Sequence, residues 1–308
     1  MLRIYVVGLD REESGYWNMK VKRYKRNKNR TKVNCYIGKG KQKHFRHSVY
    51  LVGWIDLLGY GSMLRDCSFD PSSEAAKQAV NRLEVFHSVL CEESNRFMPV
   101  MQINDGAVVW RALSLRTASV TFDFLKRCIH LFERVNEEDL KAGYYGARMV
   151  LATGLHMKMS RSVVKQEAED KVKWLIQEVE SGEKDYKAAI YEAASHTASF
   201  SNTSCLQANF AFTKAYVAEG EGSRAGFAGN HLFIDTAVFQ NPIPAWLKFD
   251  KTVHWEYPGL TTDFIQYLSI DLDAANSASG AGVLDTETIA RRITKEQKGK
   301  DKLISRLR

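Results

Sequence analysis

Hydrophobic positions between residues 48 and 154 alternate between the spacing of strands and the spacing of helices. Continuous apolar runs of about four to eight residues indicate buried strands, whereas apolar residues recurring every three or four positions indicate amphipathic helices. Short strands on either side of an Asp-Gly pair indicate a hairpin. The segments are, in order, a strand at Ser48–Ile55, a helix over Ala75–Leu90, hairpin strands at Val100–Ile103 and Ala107–Trp110, a helix over about 118–135 and a strand at Arg148–Ala152.

This order of strand, helix, hairpin, helix and strand is the βαββαβ pattern of ferredoxin-like palms. It predicts an α+β fold in which the first strand pairs with the central hairpin. Residues from about 157 to 203 are rich in Lys, Glu and Ala and lack strand signals, so they predict a helical insertion. Beyond it we predict a helix at about 207–219 and a charged helical tail from Glu287, and His231–Asp235 is the last segment with a clear strand signal.

Positive charge is concentrated near the N-terminus. The net charge is +8, and residues 1–48 carry 14 Lys and Arg against 3 Asp and Glu, so the remainder is close to neutral. Such a stretch either contacts a nucleotide or nucleic acid or forms a solvated basic arm, and nothing besides charge favours contact. We therefore expect no stable nucleic-acid binding. The predicted organisation is a basic N-terminal extension at 1–47, with short strands at 2–7 and 33–37, and one main domain at 48–308.

Cysteine usage and the longest apolar runs narrow the class of protein. The five cysteines are scattered, and none forms a C-x-x-C pair, so neither a disulfide framework nor a zinc site is indicated. No apolar run approaches the roughly 18 residues that a membrane-spanning helix needs. The brief apolar stretch at the N-terminus lacks a preceding basic flank and is typical of a strand, not of a signal peptide. These features predict a cytoplasmic protein without membrane insertion.

Two aspartates lie at the ends of strands in the same predicted sheet. Asp56 directly follows the first strand, and Asp105 lies in the hairpin turn. Because these strands are expected to pair, the two carboxylates are expected to meet, and they repel each other unless a cation lies between them. An aspartate at a turn is more often a local cap. The pair with this topology nevertheless predicts a site for two hard divalent ions, which prefer oxygen ligands and phosphates.

The turn after Asp56 predicts the second half of a triphosphate site. Residues Leu57–Ser62 include Gly59 and Gly61, which indicate a tight turn with open backbone amides. Such amides, close to the start of a following helix, are suited to binding anions.

Two further polar side chains leave alternatives open. Tyr50 lies six residues before Asp56 and therefore on the same side of the strand. It either stacks against a base or belongs to the core, and the core is favoured. Asn104 either positions a phosphate or stabilises the hairpin turn.

These segments resemble motifs of the class III adenylyl and guanylyl cyclases. Trp54–Tyr60 is similar to the family's F-x-D-I-x-G-F segment, Ile103–Gly106 to its metal-binding hairpin, and Arg148–Gly154 to its R-x-x-I-x-x-G strand. Lys214–Glu219 followed by His231–Asp235 is similar to the later helix and strand of the pyrimidine cyclases of Pycsar anti-phage systems. The resemblance covers residues 48–154 well and 207–270 loosely.

The resemblance implies roles for individual residues. Asp56 and Asp105 would be catalytic and, with the backbone of Leu57, would bind two Mg²⁺ or Mn²⁺ ions per site. A larger set along the turn, the first strand, the hairpin and the returning strand would bind the nucleotide. That set is Leu57, Gly59, Tyr60, Gly61, Ser62, Tyr50, Met101, Asn104 and Arg148.

Departures from the family pattern favour a pyrimidine substrate. Purine cyclases place Lys or Glu at the position that Met101 occupies here. The family's transition-state Asn and Arg correspond to Thr213 and Val217. Another cation is then required to stabilise charge on the transferring phosphoryl group, and the candidates are Arg111, Arg148 and the basic arm.

The function expected from this resemblance is cyclisation of UTP or CTP to a 3′,5′-cyclic nucleotide with release of pyrophosphate. The resemblance also implies a homodimer with two sites and a separate effector protein that the cyclic nucleotide activates in anti-phage defence. Two alternatives are a nucleotide-binding sensor without turnover, favoured by the missing transition-state residues, and a palm-type oligonucleotide synthetase, suggested by the basic arm.

Overall fold

The structure, a computed structural model, describes residues 6–11, 17–22, 46–115, 118–158, 163–198 and 203–295 of the 308-residue chain. Its contacts divide the chain into two compact units, Met1–His44 and Phe45–Arg308. In the first unit, β1 (Val6–Arg11) and β2 (Trp17–Lys22) form an antiparallel hairpin. The strand predicted at 2–7 is therefore described only from Val6, and the strand predicted at 33–37 lies outside the described residues.

The second unit contains the predicted order of strands and helices. Its described strands are β3 (Arg46–Leu57), β4 (Val100–Ile103), β5 (Gly106–Ala112), β6 (Ala147–Lys158), β7 (Leu232–Asp235), β8 (Leu247–Tyr257) and β9 (Leu260–Ile270). Its described α-helices are α1 (Tyr60–Asp66), α2 (Glu74–Glu93), α3 (Ser119–Lys141), α4 (Val163–Glu180), α5 (Tyr186–Ala198), α6 (Phe210–Glu221), α7 (Leu272–Ser277) and α8 (Thr286–Lys295). Short 3-10 helices cover Gly222–Ala225 and Thr236–Val238. The elements from β3 to β6 form the βαββαβ pattern, and the predicted α+β fold is confirmed.

The seven strands of this unit form one sheet in the order β4-β5-β3-β6-β7-β9-β8. Neighbouring strands are antiparallel except β6 and β7, which are parallel. Because β3 lies between β5 and β6, the first strand pairs with the central hairpin as expected. This position places Asp56 opposite Gly106 on one side and opposite Arg148 on the other.

Alternate residues of β3 face two different hydrophobic cores. Leu51 and Ile55 are buried together with residues of α2, α3 and α8 on one face of the sheet. Val52 and Trp54 are buried together with residues of α6 on the other face. Since side chains alternate along a strand, Asp56 lies on the same face as Trp54, towards α6.

The buried face of α2 includes a charged residue. Ala79 and Phe86 are buried, as helical spacing predicts, whereas Val80 is 51% exposed. Arg82 lies three residues after Ala79 and four before Phe86, so it shares their face and is only 2% exposed. A charged side chain in this position must find its partners inside the protein.

After His231–Asp235, the last strand that is recognised from the sequence, β8 and β9 form a further hairpin. Pro258 and Gly259 form the turn of this hairpin. β8 lies at the edge of the sheet, and its register against β9 shifts on both sides of Phe249. These irregularities, together with the many charged residues of β8, hide the two-residue period by which a strand is recognised in a sequence.

The predicted helical insertion contains α4 and α5. Glu192 of α5 accepts hydrogen bonds from the ammonium groups of Lys171 and Lys184. Both ammonium groups also lie over the ring of Trp174, at 4.1 and 4.9 Å from its centroid. These contacts hold the two helices together as a hairpin.

A buried ion pair ties α6 to the sheet. Lys214 Nζ donates to Asp235 Oδ2 at 2.6 Å, and the two side chains are 7% and 0% exposed. Asp235 also accepts hydrogen bonds from the N–H and the hydroxyl of Thr153, at 2.9 and 2.6 Å. Burial alone would raise the pKa of Asp235, but the charge of Lys214 and these hydrogen bonds outweigh burial and lower it.

Replacing Lys214 by Met should destabilise the fold by about 3–5 kcal/mol, because Asp235 would remain buried without its cation. The free energy of unfolding is measured by urea denaturation at pH 7. The double variant Lys214→Met/Asp235→Asn, which leaves no unpaired charge, should recover part of the loss. A loss below about 1 kcal/mol in the single variant would contradict this account.

Candidate functional site

Asp56 lies where β3 passes between β5 and β6. It faces Gly106 across one ladder and Arg148 across the other. A Cβ atom at Gly106 would lie 2.9 Å from Asp56 Oδ1 and 2.5 Å from the ring of Trp54. Glycine therefore allows the backbone of β5 to pass close to the Asp56 carboxylate.

Asp105 lies in the two-residue turn between β4 and β5, next to Asn104. Asn104 has φ +55°, in the left-handed region that asparagine tolerates, and its side-chain amide donates to Asp105 Oδ1 at 2.7 Å. This hydrogen bond and the positive φ fit one of the two roles left open for Asn104, stabilisation of the turn. A contact of Asn104 with a phosphate stays a prediction. The Asp105 carbonyl accepts the N–H of Leu57 at 3.1 Å, which joins the hairpin turn to the residue after Asp56. The two aspartates are thus adjacent at one end of the sheet.

The turn after Leu57 leaves backbone amides open. Gly59 has φ +78°, which glycine adopts without steric cost, and it directly precedes α1. The N–H of Ser62 is bonded to the Gly59 carbonyl at 3.0 Å. By contrast, the N–H groups of Gly59, Tyr60 and Gly61 form no hydrogen bond with any residue that the structure describes. These three groups are available to an anion.

The electrostatic surroundings of Asp56 favour a positive charge at this position. Burial, followed by the negative charges of Glu219 and Asp105, raises the pKa of Asp56 to about 7. The positive charges of Arg148 and Arg82 act in the opposite direction but do not compensate. A bound cation would relieve the same repulsion that otherwise retains a proton.

Arg148 is held by the C-terminal end of α6. Its guanidinium donates to Glu219 Oε1 from Nε at 2.9 Å and from Nη2 at 2.6 Å, and from Nη1 to the Phe227 carbonyl at 2.7 Å. The side chains of Arg148 and Glu219 are 13% and 8% exposed. Arg148 therefore lies beside Asp56 as expected, but a phosphate would have to compete with Glu219 for it. Its role in nucleotide binding stays a prediction.

The donor atoms at this site fit a hard divalent cation. Asp56 and Asp105 offer carboxylate oxygens, which Mg²⁺ and Mn²⁺ accept as ligands. Within the described ranges, no group of three or more His, Cys, Asp or Glu side chains is placed to hold a metal. The two aspartates would therefore supply only part of a coordination shell. Mg²⁺ sites of this kind are ordinarily completed by water and by substrate phosphates.

Several residues predicted to bind the nucleotide have other contacts. The side chain of Tyr60 is 4% exposed and belongs to the core, so only its backbone faces the turn. The hydroxyl of Ser62 accepts a hydrogen bond at 2.7 Å from the guanidinium of Arg65, which lies one turn later in α1. At the rise per residue of a β-strand, the six residues from Tyr50 to Asp56 span about 20 Å along β3. The ring of Tyr50 packs edge-on against His156, with centroids 5.0 Å apart.

Met101 and Arg111 lie on the β4–β5 hairpin in different surroundings. Met101 Sδ accepts a hydrogen bond from the Thr203 hydroxyl at 3.2 Å, and its side chain packs against the core on the α6 side. Arg111 lies near the end of β5 that is remote from the turn. Its guanidinium donates to the Arg96 carbonyl at 3.2 Å and lies 5.1 Å from the centroid of the Phe97 ring. Arg111 is therefore not beside the aspartates.

Three charged residues near the site are not predicted from the sequence: Arg82, Asp139 and Glu219. As whole residues they are 2%, 6% and 6% exposed, and they lie on the buried faces of α2, α3 and α6, respectively. The signal that could have found them is a charge at a position where helical spacing calls for an apolar side chain. Such positions are candidates for buried partners near a functional site.

Comparison with known proteins gives structural similarities alone. No protein-family model and no curated protein sequence matches the chain. Among the described residues, no helix has the length and apolar character that crossing a membrane requires.

The solved structures similar to this chain include nucleotide cyclases. The guanylyl cyclase Cya2 superposes with a TM-score of 0.46 at 10% identity, over 73% of this chain and 94% of that chain. The dimeric guanylyl cyclase domain of the RhoGC fusion protein from the aquatic fungus Blastocladiella emersonii has a TM-score of 0.36 at 7% identity, over 73% and 99%. A bacterial light-regulated adenylyl cyclase has a TM-score of 0.36 at 10% identity, over 82% of this chain but only 58% of its own length. Because these TM-scores lie below 0.5, the similarities by themselves assign neither a family nor a function.

Replacing Asp56 by Asn should stabilise the metal-free protein at pH 8. The folded state retains the Asp56 proton up to pH about 7, whereas the ordinary pKa is 3.8, so metal-free stability falls as the pH rises between these values. Asparagine removes this fall, and the gain in Tm should shrink towards pH 4. Thermal unfolding with a chelator present measures the effect, and the exposed Asp66→Asn variant is the control. A lower Tm for Asp56→Asn at pH 8 would contradict the electrostatic account.

Replacing Gly106 by Ala should weaken binding of Mn²⁺ by about tenfold or more, because the added methyl group would displace the Asp56 carboxylate or the Trp54 ring. Isothermal titration calorimetry at pH 8 measures the Kd. Gly220→Ala is the matched control, since a Cβ there meets nothing within 4 Å. Equal Mn²⁺ affinity in the Gly106→Ala and wild-type proteins would show that the close approach does not shape the site.

Proposed function

We propose that this protein cyclises a pyrimidine nucleoside triphosphate, UTP or CTP, to a 3′,5′-cyclic nucleotide and pyrophosphate. The observation that carries the proposal is the adjacency of Asp56 and Asp105 beside the open amides of Gly59–Gly61. The carboxylates suit divalent cations, and the N–H groups suit the phosphates that such cations accompany. One end of the sheet thus offers both halves of a metal–triphosphate site.

The residues of this site would divide the work. Asp56 and Asp105, with the carbonyl of Leu57, would hold Mg²⁺ or Mn²⁺. When bound, these ions lower the pKa of the ribose 3′-hydroxyl and neutralise charge on the departing pyrophosphate. The amides of Gly59–Gly61 donate hydrogen bonds to the β- and γ-phosphates. The 3′-oxygen then bonds to the α-phosphorus as the bond to the bridging oxygen of pyrophosphate breaks, and the hydroxyl proton passes to solvent.

Among the residues that the structure describes, we assign Arg148 to stabilise charge on the transferring phosphoryl group, because it lies next to Asp56. In this role Arg148 would replace the family's transition-state Asn and Arg, because the corresponding positions in this chain are Thr213 and Val217. To do so, its guanidinium exchanges Glu219 for a phosphate oxygen. For the guanidinium, one charge-assisted hydrogen bond replaces another, but the buried Glu219 loses its cation, and the contact with the phosphate must offset that cost.

The choice of a pyrimidine follows from the surroundings of Met101. A thioether supplies no charged group to read the edge of a purine, and the sulfur of Met101 is already engaged by the Thr203 hydroxyl. The remaining features of the proposal are a homodimer, a cytoplasmic setting and a separate effector that responds to the cyclic nucleotide in anti-phage defence. The motif resemblance to pyrimidine cyclases is what supports them.

The direct test is to incubate the full-length protein with each of the four nucleoside triphosphates and Mn²⁺. Mass spectrometry should identify cyclic UMP or cyclic CMP, with one pyrophosphate per product. Asp56→Ala and Asp105→Ala should form neither, whereas Asp66→Ala should retain activity. A cyclic purine product would contradict the choice of base, and equal activity in Asp56→Ala would contradict the assigned role of the carboxylates.

Two outcomes would identify the alternative functions. Metal-dependent triphosphate binding without release of pyrophosphate would identify a sensor, which the engagement of Arg148 by Glu219 favours. Products longer than one nucleotide would identify an oligonucleotide synthetase.

A further inference from the structure

A buried ion pair lies beneath the turn that follows Asp56. Arg82 of α2 donates to Asp139 of α3 through two parallel hydrogen bonds, from Nε to Oδ1 at 2.8 Å and from Nη2 to Oδ2 at 2.7 Å. The two side chains are 1% and 7% exposed. Desolvation of two charges offsets much of their attraction, so such a pair is weak evidence for a purely stabilising role.

Both members of the pair also bind the backbone beside the site. Arg82 Nη2 donates to the carbonyl of Leu58 at 3.0 Å and, with a longer contact of 3.4 Å, to that of Gly146. Asp139 Oδ2 accepts the N–H of Gly146 at 2.8 Å. The N–H of Leu58 in turn donates to the Gly146 carbonyl at 2.9 Å. Leu58 is therefore held through both its N–H and its C=O.

The bond to the Leu58 carbonyl fixes the direction of the next N–H. In a trans peptide, the C=O of one residue and the N–H of the next point in opposite directions. Because the Leu58 carbonyl points towards the buried Arg82, the N–H of Gly59 points away from the interior. Gly59 is exposed, and within the described part of the chain its N–H has no hydrogen-bond partner.

A glycine at this position makes such a restraint necessary. Gly59 has φ +78°, and glycine adopts positive and negative φ with similar ease. The Leu58–Gly59 peptide would therefore be free to turn over if nothing held its carbonyl. The turned peptide would present an oxygen, in place of an N–H, to an anion beside Asp56.

We propose that Arg82, held in place by Asp139, is a positioning residue that keeps the Leu58–Gly59 peptide in the orientation that binds a triphosphate. Arg82 touches neither substrate nor metal and acts through the backbone of Leu58. The inference rests on the proposed function, because it takes the ligand of this turn to be a polyphosphate.

Inorganic tripolyphosphate with Mn²⁺ is the probe that tests this role, because it carries the phosphates without a base or a ribose. Arg82→Met removes the bond to the Leu58 carbonyl, and Arg82→Met/Asp139→Leu also removes the charge that would be left unpaired. At pH 8, both variants should raise the Kd for Mn²⁺–tripolyphosphate by about tenfold or more. In the double variant, which leaves the net charge beside Asp56 unchanged, the Kd for Mn²⁺ alone should change by less than about twofold, since Asp56 and Asp105 remain.

The matched control is Arg134→Met. Arg134 also links α3 to α2, through Glu92 at 2.9 Å and Glu93 at 3.3 Å, but it has no hydrogen bond to the turn. Its replacement should leave the Kd for Mn²⁺–tripolyphosphate unchanged. Tm is measured for every variant, so that binding is compared only between folded proteins.

Each outcome decides the proposal. A lower Tm with an unchanged Kd in the Arg82 variants would show a structural role only and would overturn it. Absence of Mn²⁺–tripolyphosphate binding by the wild type would overturn both this role and the proposed function. Weakened binding in the variants, combined with no cyclic nucleotide from the wild type, would support the positioning role while the cyclase proposal fails.

Discussion

At the end of β3, Asp56 is partly buried beside two other acidic groups, Glu219 and Asp105, so burial first and charge repulsion second disfavour its ionised form. A carboxylate in such surroundings retains a proton to a pH of about 7 or attracts another positive charge. The chain has a carboxylate at this position although its surroundings disfavour the charged form. A cost of this kind is characteristic of sites that bind a ligand.

The rest of the second unit brings distant segments to that end of the sheet. The central place of β3 puts Asp56 between the hairpin turn and the start of β6, and Gly106 removes the atom that would keep the strands apart. Helix α6 brings Glu219 to Arg148. Helices α2 and α3 bring the ion pair of Arg82 and Asp139 beneath the turn that follows Asp56. Each face of the sheet thus contributes charged groups to a single site.

The order of elements and the meeting of Asp56 with Asp105 could be predicted, because both follow from local periodicity and from the pairing rules of a βαββαβ sheet. Arg82 and Glu219 were not predicted, since a charged residue in a helix ordinarily lies in solvent. Their positions on apolar helix faces indicate burial, but only tertiary packing identifies their partners. The edge strand β8 was hidden for a related reason, because its many charged side chains mask strand periodicity. The surroundings of Arg148 likewise depend on a contact with a residue 71 positions away.

The central claim is that Asp56 and Asp105 bind a common divalent cation. Anomalous diffraction from crystals of the protein grown with Mn²⁺ and a non-hydrolysable pyrimidine triphosphate tests it most directly. The account predicts an Mn²⁺ peak within about 2.1 Å of an oxygen of each carboxylate, with the triphosphate against the turn at Gly59. Carboxylates that point apart, or Mn²⁺ bound only elsewhere in the molecule, would contradict it.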